Sequence, residues 1–430
     1  MRTLAYGGAA WKRWLASLPR SSAPRPGVLR AAEAIVRAVR REGDAALVRF
    51  TARFDGVRLS PRELRVPPAE VRALAAKADR RVVRALRAMA RRIEAFHRRQ
   101  LDAGFRMALP DGSSLEEVVR PLASAGLYVP GGAGAYPSSV LMNAIPARVA
   151  GVPRIVVVTP PRTLEENPSV AAAILVAGVE GHVFRVGGAQ AVAALAYGTR
   201  TLAAVDVVVG PGNAYVAAAK RLVRGQVAID SEAGPSEVAV LADATADPGW
   251  VAADLLAQAE HGSGDETVVL VTPSHALAAE ATRLVASGLP SVANPARARR
   301  ALARNAAVVL VRDVEEGLAA VNALAPEHVE VMTRDAGQVA RRVVGGAVFV
   351  GPWAPVAVGD YGIGPNHVLP TGGAARFASP LSVRDFQRRQ SLVTLTRAGL
   401  ARVVEDVVRV AAAEGFRGHA QSVLTRFEGE

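Results

Sequence analysis

The segment Gly126-Leu127-Tyr128-Val129-Pro130-Gly131-Gly132 marks a change in the character of the sequence. Upstream of it, apolar residues recur at helical spacing among arginines and glutamates. The segment itself is a short apolar run that ends in proline and glycine, which is typical of a buried strand followed by a tight turn. From here on, runs of this kind alternate with helical patterns.

The alternation after Gly126 predicts parallel sheets. Strands that are separated by helices of about ten residues pair in parallel, and the helices cover both faces of the sheet. The predicted strands of the first series are 154–159, 181–186, 205–209 and 227–230. The second series begins after Glu237, with predicted strands 238–242, 267–272, 307–311, 328–332 and 347–350. The sequence therefore predicts an α/β protein with two doubly wound, Rossmann-like parallel-sheet units, one inserted in the other.

We expect four segments in the chain. The predicted boundaries are an N-terminal helical arm (1–24), a first α/β domain (25–127 and 237–380), a second α/β domain (128–236) and a C-terminal helical tail (381–430). Pro67-Pro68 is predicted to begin one long helix that ends near Leu101. The glycine-rich segment 351–373 has few apolar positions, so we expect a functional loop or an ordered surface segment there.

Composition excludes several classes of protein. The chain has 430 residues, of which 50% are hydrophobic and 21% charged, so it can form two or three cores and is not disordered. It has no apolar run long enough for a membrane span and no signal-peptide core near its start, so we expect a cytoplasmic protein without a membrane partner. The absence of cysteine excludes disulfides, thiolate metal sites and covalent thiol catalysis.

The positive charge has two interpretations. The formal net charge is +13, and nearly all basic residues are arginines. Nucleic-acid binding is one interpretation, but the arginines are spread over helical segments, without a basic tail or a patch interleaved with aromatic residues. A bias in composition is therefore favoured, and we expect no nucleic-acid partner. A positive field would also favour an anionic dinucleotide.

Gln258 and His261 are candidates for half of a metal site. They are three residues apart at the end of a predicted helix, so their side chains lie on one face, about one turn apart. A polar helix end in water is the alternative. Spacing does not show whether Asp360 and His419 meet this pair, although two nitrogens and two oxygens would suit a divalent metal such as zinc.

Other polar motifs have weaker signals. Glu327 and His328 are adjacent at a predicted helix-to-strand turn, where a carboxylate and an imidazole can handle protons, although a solvated turn is also common. The glycine-rich turns 131–134 and 210–213 follow predicted strands and can present backbone N–H groups to phosphate. Neither has the Gly-x-Gly-x-x-Gly spacing of the usual dinucleotide fingerprint.

Long strings of the sequence resemble the histidinol dehydrogenase family, in order and over about residues 25 to 425. The strings are GLYVPGG, YPSSVLMNAIPARVAGV, GGAQAVAALAYGT, VVVGPGNAYVAAAKRLV, IDSEAGPSEV, AADLLAQAEHG, APEHVE, GDYGIGPNHVLPTGG and EGFRGHA. The resemblance implies an NAD-dependent, zinc-dependent oxidation of L-histidinol to L-histidine through the aldehyde, at the end of histidine biosynthesis. It also implies a homodimer in which the tail of one subunit completes the site of the other.

The resemblance also implies roles for individual residues. The zinc ligands, for one ion per subunit, would be Gln258, His261, Asp360 and His419, and the acid–base pair would be Glu327 and His328. The substrate would contact Ser236, Gln258, His261, His328, Asp360, Glu414 and His419. NAD would contact Tyr128, Gln190 and Asn213. Because the chain has no cysteine, water must add directly to the aldehyde, and Glu327 is the expected activator.

Three alternatives remain open at this stage. A related NAD-dependent dehydrogenase of the same fold could oxidise another alcohol, such as a sulfonated diol. A zinc hydrolase with Glu327 as its base would act without NAD. An arginine-rich nucleic-acid-binding protein would be retained on DNA in a salt-dependent manner.

Overall fold

The computed structural model describes residues 1–19, 25–131, 136–232, 234–262 and 264–428. Residues 132–134 of the first glycine-rich turn lie outside these ranges. The chain forms two compact units, one of residues 1–100 and 122–386, the other of residues 101–121 and 387–430.

The strands form two parallel sheets and one small antiparallel sheet. They are β1 (Arg2–Ala5), β2 (Arg65–Val66), β3 (Phe105–Ala108), β4 (Ser114–Pro121), β5 (Ser124–Tyr128), β6 (Arg154–Thr159), β7 (Val183–Arg185), β8 (Val207–Val209), β9 (Ala228–Ile229), β10 (Glu237–Ala242), β11 (Thr267–Thr272), β12 (Ala306–Leu310), β13 (His328–Met332), β14 (Ala347–Val350) and β15 (Gln387–Thr394).

The helices cover both faces of the parallel sheets. They are α1 (Ala9–Ser17), α2 (Pro26–Glu42), α3 (Asp44–Asp55), α4 (Pro68–Ala75), α5 (Arg80–His97), α6 (Pro137–Val149), α7 (Thr163–Glu166), α8 (Pro168–Ala177), α9 (Gly188–Tyr197), α10 (Ala214–Val223), α11 (Pro248–Glu260), α12 (His275–Gly288), α13 (Pro295–Arg304), α14 (Val314–Leu324), α15 (Ala336–Ala340), α16 (Val356–Asp360), α17 (Arg397–Ala413) and α18 (Arg417–Leu424).

The predicted fold class is confirmed. One sheet has the order β1-β12-β11-β10-β13-β14, and its neighbouring strands are all parallel. The other has the order β2-β7-β6-β5-β8-β9, with only β2 antiparallel. The whole second sheet lies in the chain between β1 and β10, so one doubly wound unit is inserted in the other. Every residue of β10 and β11 is buried, as expected for strands covered on both faces.

The early part of the chain differs from the prediction in three ways. Residues 2–5, expected in a helical arm, form an edge strand that pairs with Ala307–Leu310 of β12. The helix predicted to begin at Pro67-Pro68 is two helices, because the Asp79 side chain accepts a hydrogen bond from Arg81 N at 2.6 Å and caps α5. Helices α2 to α5 pack into the cores around β5–β9, whereas the sequence grouped residues 25–127 with 237–380.

The second unit contains a three-stranded antiparallel sheet in the order β15-β4-β3, followed by α17 and α18. The expected tail is helical from Arg397 onward, but its residues 387–394 are a strand. Thr396 joins the two parts, since its N–H donates to Ser113 Oγ at 3.1 Å and its hydroxyl caps α17. Within the part of the chain that the structure describes, no helix has the length and apolarity of a membrane span.

Candidate functional site

The end of helix α11 carries Gln258 and His261. Asp247 caps the start of this helix, and His261 N–H donates to Gln258 O at 3.2 Å where the helix ends. The Gln258 side chain is buried, yet its Nε2 atom has no hydrogen-bond partner among the described residues. A buried N–H donor without an acceptor needs an explanation, and an acceptor group on a bound substrate could supply one.

Asp360 lies at the end of the short helix α16 and close to His328. The residue before it, Gly359, packs on the Phe349 ring so tightly that an added Cβ would lie 2.6 Å from the ring. The same ring lies 6.2 Å from the His328 ring, centroid to centroid. Burial lowers the pKa of His328, and the nearby Asp360 carboxylate opposes that shift. The folded chain therefore brings Asp360 near the acid–base pair.

His328 has a defined tautomer. Its ring is buried, and Nδ1 lies 3.1 Å from the backbone oxygen of Glu237. Because a carbonyl oxygen only accepts, Nδ1 carries the hydrogen and Nε2 keeps its lone pair. The lowered pKa of His328 keeps the ring neutral near pH 7. The imidazole is thus a base with one available nitrogen.

Glu327 forms a reciprocal pair with Glu237. The Glu327 carboxylate accepts from Glu237 N at 3.1 Å, and the Glu237 carboxylate accepts from Glu327 N at 3.3 Å. The Ser236 hydroxyl also bonds to Glu327. Burial raises the pKa of both Glu327 and Glu237 to about 7. Each carboxyl group can therefore gain or lose a proton near neutral pH, which suits general acid–base chemistry.

The backbone holds this pair in a strained turn. Ala325, at the end of α14, has a φ of 44°, a left-handed conformation that is uncommon for a residue with a Cβ. Beyond it, Pro326 O accepts from Gly346 N at 3.0 Å and Glu327 O accepts from Ala347 N at 2.8 Å. Local strain that the surrounding structure maintains is typical of functional sites.

His367 interacts electrostatically with Asp360, His328 and His261. Its Nδ1 lies 3.0 Å from Asp360 O, so Nδ1 carries the hydrogen and Nε2 is available. Burial lowers the pKa of His367, Asp360 opposes this shift, and the charges of His328 and His261 add to it. His367 lies in the glycine-rich segment 351–373, and the sequence analysis assigned it no role. The contact of its Nδ1 with Asp360 O makes His367 a candidate residue of this site.

The residues expected to bind NAD line a separate cavity of about 990 Å³. This volume is within the range of about 300–1,000 Å³ that is typical of small-molecule sites. Tyr128 is the last residue of β5, and Gln190 and Asn213 follow β7 and β8. All three therefore lie at the carboxyl ends of strands, where parallel α/β sheets usually bind ligands. Burial raises the pKa of Tyr128 to about 12, and its hydroxyl accepts from Gly188 N at 3.0 Å.

Charge and unsatisfied polar atoms make this cavity suitable for a dinucleotide. Arg49, Arg53 and Arg162 line it, and their guanidinium groups favour anionic phosphates. Two lining residues, Gln190 and Asp55, each have a buried oxygen with no hydrogen-bond partner in the part of the chain that the structure describes. Hydroxyl or amide groups of a bound ligand could supply the missing donors.

The turn next to Asn213 is held by a buried ion pair. Lys220 and Asp230 contact each other, and each side chain is 3% exposed. Lys220 Nζ donates to Gly210 O at 3.0 Å, while Asp230 accepts from Gly210 N at 2.8 Å. Gly210 has a φ of 112°, and a Cβ there would lie 2.2 Å from Tyr128 O. Only glycine permits this close approach of the two loops.

Glu414 and His419 belong to the second unit. Glu414 ends α17, and His419 lies in α18 with its ring stacked on Phe416 at 4.9 Å; both side chains are exposed. The first unit contains the other three expected ligands, Gln258, His261 and Asp360. Over residues 1–19, 25–131, 136–232, 234–262 and 264–428, no group of three or more His, Asp or Glu side chains forms a metal-ligand cluster.

Sequence reasoning missed Glu237, Glu330 and Asp254. Glu237 and Glu330 are 5% and 1% exposed, inside strands whose neighbouring residues are apolar. A glutamate within an apolar strand pattern is unusual unless it is paired, and that signal could have identified both residues.

Two features define an α/β enzyme here. One sheet has a cofactor-sized cavity, and the other has a site of histidine and carboxylate side chains. The histidinol dehydrogenase family model matches residues 18–427. A histidinol dehydrogenase from Cereibacter sphaeroides is 47% identical over 92% of this chain and 91% of its own length, and one from Moorella thermoacetica is 45% identical over 100% of both. A crystal structure of histidinol dehydrogenase from Elizabethkingia anophelis has a TM-score of 0.92 and 32% identity, covering 100% of this chain and 98% of that one.

The chain therefore belongs to the histidinol dehydrogenase family, and it is an oxidoreductase. The resemblance seen in the sequence is confirmed.

Proposed function

We propose that this protein oxidises L-histidinol to L-histidine through the aldehyde, with zinc and two NAD⁺ per substrate, in the last steps of histidine biosynthesis. The observation that carries the proposal is the neutral His328 with its available Nε2, beside Glu327 whose pKa is raised to about 7 by burial. Membership of the family supports the choice of substrate.

Gln258, His261 and Asp360 would hold the zinc ion together with His419. Their donor set of two imidazole nitrogens and two oxygens, with the amide oxygen of Gln258 and a carboxylate oxygen of Asp360, fits zinc. Zinc, when bound, supplies positive charge that anchors and orients the substrate nitrogens.

His328 is the base of the first oxidation. Its Nε2 accepts the alcohol proton as hydride leaves the carbon, and Nδ1–H continues to donate to Glu237 O. NAD⁺, when bound, accepts the hydride. The products of this step are the aldehyde, NADH and one proton.

Glu327 is the base of the hydration that follows. Its carboxylate removes a proton from water as the oxygen of that water bonds to the aldehyde carbon. The protonated His328 gives its Nε2 proton to the carbonyl oxygen, which completes the hydrate and returns the imidazole to its neutral form. A thiohemiacetal is impossible because the chain has no cysteine. His328 then accepts a hydroxyl proton from the hydrate as the second hydride leaves, which gives the carboxylic acid.

Tyr128, Gln190 and Asn213 are proposed to contact NAD in the cavity of the inserted sheet. Asn213 Oδ1 already accepts from Tyr215 N and Val216 N at 3.0 and 3.2 Å, so its amide nitrogen is the remaining donor. The arginines of the cavity favour the pyrophosphate.

The active form is proposed to be a homodimer with shared sites. Helix α17 exposes Val403, Val407 and Val410, which are 40%, 37% and 57% exposed and lie on one helix face. A second copy of the chain would cover this face, and Glu414, His419 and Ser236 would then line the substrate site. The proposal includes a cytoplasmic location without a membrane or nucleic-acid partner.

The test is NADH formation from L-histidinol by the purified protein, before and after chelation and with zinc restored. We expect two NADH per histidinol, loss of turnover on chelation and recovery with zinc. A sulfonated diol serves as the control alcohol and should give no NADH. Turnover that needs neither zinc nor histidinol would contradict the proposal.

A further inference from the structure

A buried carboxyl group lies on the same sheet face as His328. Glu330 is two residues further along β13, so its side chain points to the same side of the sheet, and only 1% of the residue is exposed. Helix α11 covers this face, and Asp254 on that helix lies one turn before Gln258 and two turns before His261. The two carboxyl groups form a hydrogen bond with each other.

The two oxygens of Glu330 have different partners. Oε1 accepts from Val356 N at 2.7 Å. Oε2 is buried and receives no hydrogen bond from an amide, hydroxyl or guanidinium group among the described residues. Asp254 interacts with the Glu330 side chain, and two carboxyl groups can form a hydrogen bond only if one proton lies between them.

This pair connects the three elements that carry the site. Val356 is the first residue of α16, and Asp360 is its last. Helix α11 carries Gln258 and His261, and β13 begins with His328. A hydrogen-bonded path from Asp254 through Glu330 to Val356 N therefore joins the helix with two expected metal ligands to the helix with the third.

We propose that Asp254 and Glu330 share a proton and act as a positioning pair, which sets the distance between the α11 ligands and Asp360 and so raises zinc affinity. The inference rests on the proposed function for the identity of the metal. Groups that orient metal ligands typically change affinity or activity by about 10- to 100-fold when they are replaced.

The electrostatics agree with a shared proton. Burial, followed by the charge of Asp254, raises the pKa of Glu330 to about 8. Burial also raises the pKa of Asp254. At neutral pH the pair therefore holds a proton, with Glu330 buried and Asp254 partly buried.

The experiment compares amide and leucine variants of both residues by zinc affinity, measured in competition with a chromogenic chelator. In Glu330→Gln the amide oxygen accepts from Val356 N and the amide nitrogen donates to Asp254, so affinity should stay near that of the wild type. Asp254→Asn should behave likewise. Glu330→Leu and Asp254→Leu should bind zinc about 10- to 100-fold more weakly. Glu280→Leu, which removes an exposed carboxylate from α12, is the matched control and should bind as the wild type does.

A second variant tests the path without changing either carboxyl group. Val356→Pro removes the N–H that Glu330 accepts, at a first helical position where proline is tolerated. It should weaken zinc binding while urea unfolding of the zinc-free protein stays close to that of the wild type.

Folded leucine and Val356→Pro variants with wild-type zinc affinity would overturn the inference, as would amide variants that lose as much affinity as the leucine variants. A wild-type protein that binds zinc but does not oxidise histidinol would contradict the proposed function alone. The zinc affinities of the variants relative to the wild type would then still support or overturn the positioning role of Asp254 and Glu330.

Discussion

His328 depends on a backbone atom for its chemistry. The Glu237 carbonyl fixes the imidazole hydrogen on Nδ1, and this bond spans 91 positions of the chain. The Glu237 side chain simultaneously accepts from Glu327 N and from Gly372 N, both buried or partly buried. Glu237 thus forms hydrogen bonds with both members of the proposed acid–base pair and with Gly372, near the end of the glycine-rich segment.

Glu327→Gln tests the division of labour between the two proposed catalytic residues, Glu327 and His328. The amide keeps the size of the side chain but cannot accept a proton from water, so the second oxidation should fall by about 100- to 10,000-fold. The first oxidation, in which His328 is the base, should fall much less. Stopped-flow measurement of NADH from histidinol and from the aldehyde separates the two steps.

The pH profile of the wild type provides the internal control. Glu327 must be ionised to act as a base, and burial raises its pKa to about 7. Oxidation of the aldehyde should therefore increase as the pH rises through about 7, and this dependence should disappear in Glu327→Gln. Equal losses in both steps with an unchanged pH profile would show that Glu327 has no separate role.

Among the elements, the turn between β8 and α10 combines tight packing with a buried charge pair. Lys220 and Asp230 hold the backbone of Gly210 from both sides, and Gly210 packs on Tyr128 O. The same turn leads into Asn213, which caps α10. The ion pair is therefore expected to stabilise the fold and the cofactor cavity together.

Lys220→Met should destabilise the protein by about 3–5 kcal/mol, because it leaves the Asp230 carboxylate buried without its partner. NAD affinity should fall as well. In Lys220→Met/Asp230→Asn, the amide oxygen still accepts from Gly210 N and no charge is left unpaired, so much of the stability should return. Urea unfolding and NAD titration measure the two effects. If the double variant were no more stable than Lys220→Met, the unpaired charge would not be the cause.

Element prediction succeeded where the local pattern and the tertiary contacts agree. The runs that became β6, β10 and β11 are apolar throughout because helices cover both faces of their sheets. Residues 2–5 have no such pattern, and their strand forms only because β12 offers an unpaired edge. Asp79 is an ordinary helix cap, but the apolar spacing continues across it and conceals the break.

For the whole molecule, the proposed homodimer assigns each part of the site to one of two subunits. The exposed valines of α17 and the exposed His419 suit a tail that packs on a second copy. An isologous dimer would pair the first unit of each subunit with the tail of the other.

Mixing two inactive variants tests this arrangement. His328→Ala lacks the base, and His419→Ala lacks the expected ligand of the tail. After subunit exchange at equal amounts, roughly a quarter of wild-type activity should return, because half of the dimers are mixed and each has one intact site. A mixture of His328→Ala with Glu327→Gln should regain no formation of histidine, since both changes affect the same part of the site and no mixed site has both residues. If mixed dimers form and no activity returns, the sites are not shared.

The sequence by itself determined the fold class, the absence of thiol chemistry and the position of Gln258 and His261 on one helix face. Each of these follows from local spacing or from composition. Only the tertiary structure decided that Glu237 meets Glu327 and that Asp254 meets Glu330, since these partners are separated by 90 and by 76 positions. The tautomer of His328 and the raised pKa values of the glutamates arise from burial beside these distant partners, a property that no stretch of the sequence has until the chain folds.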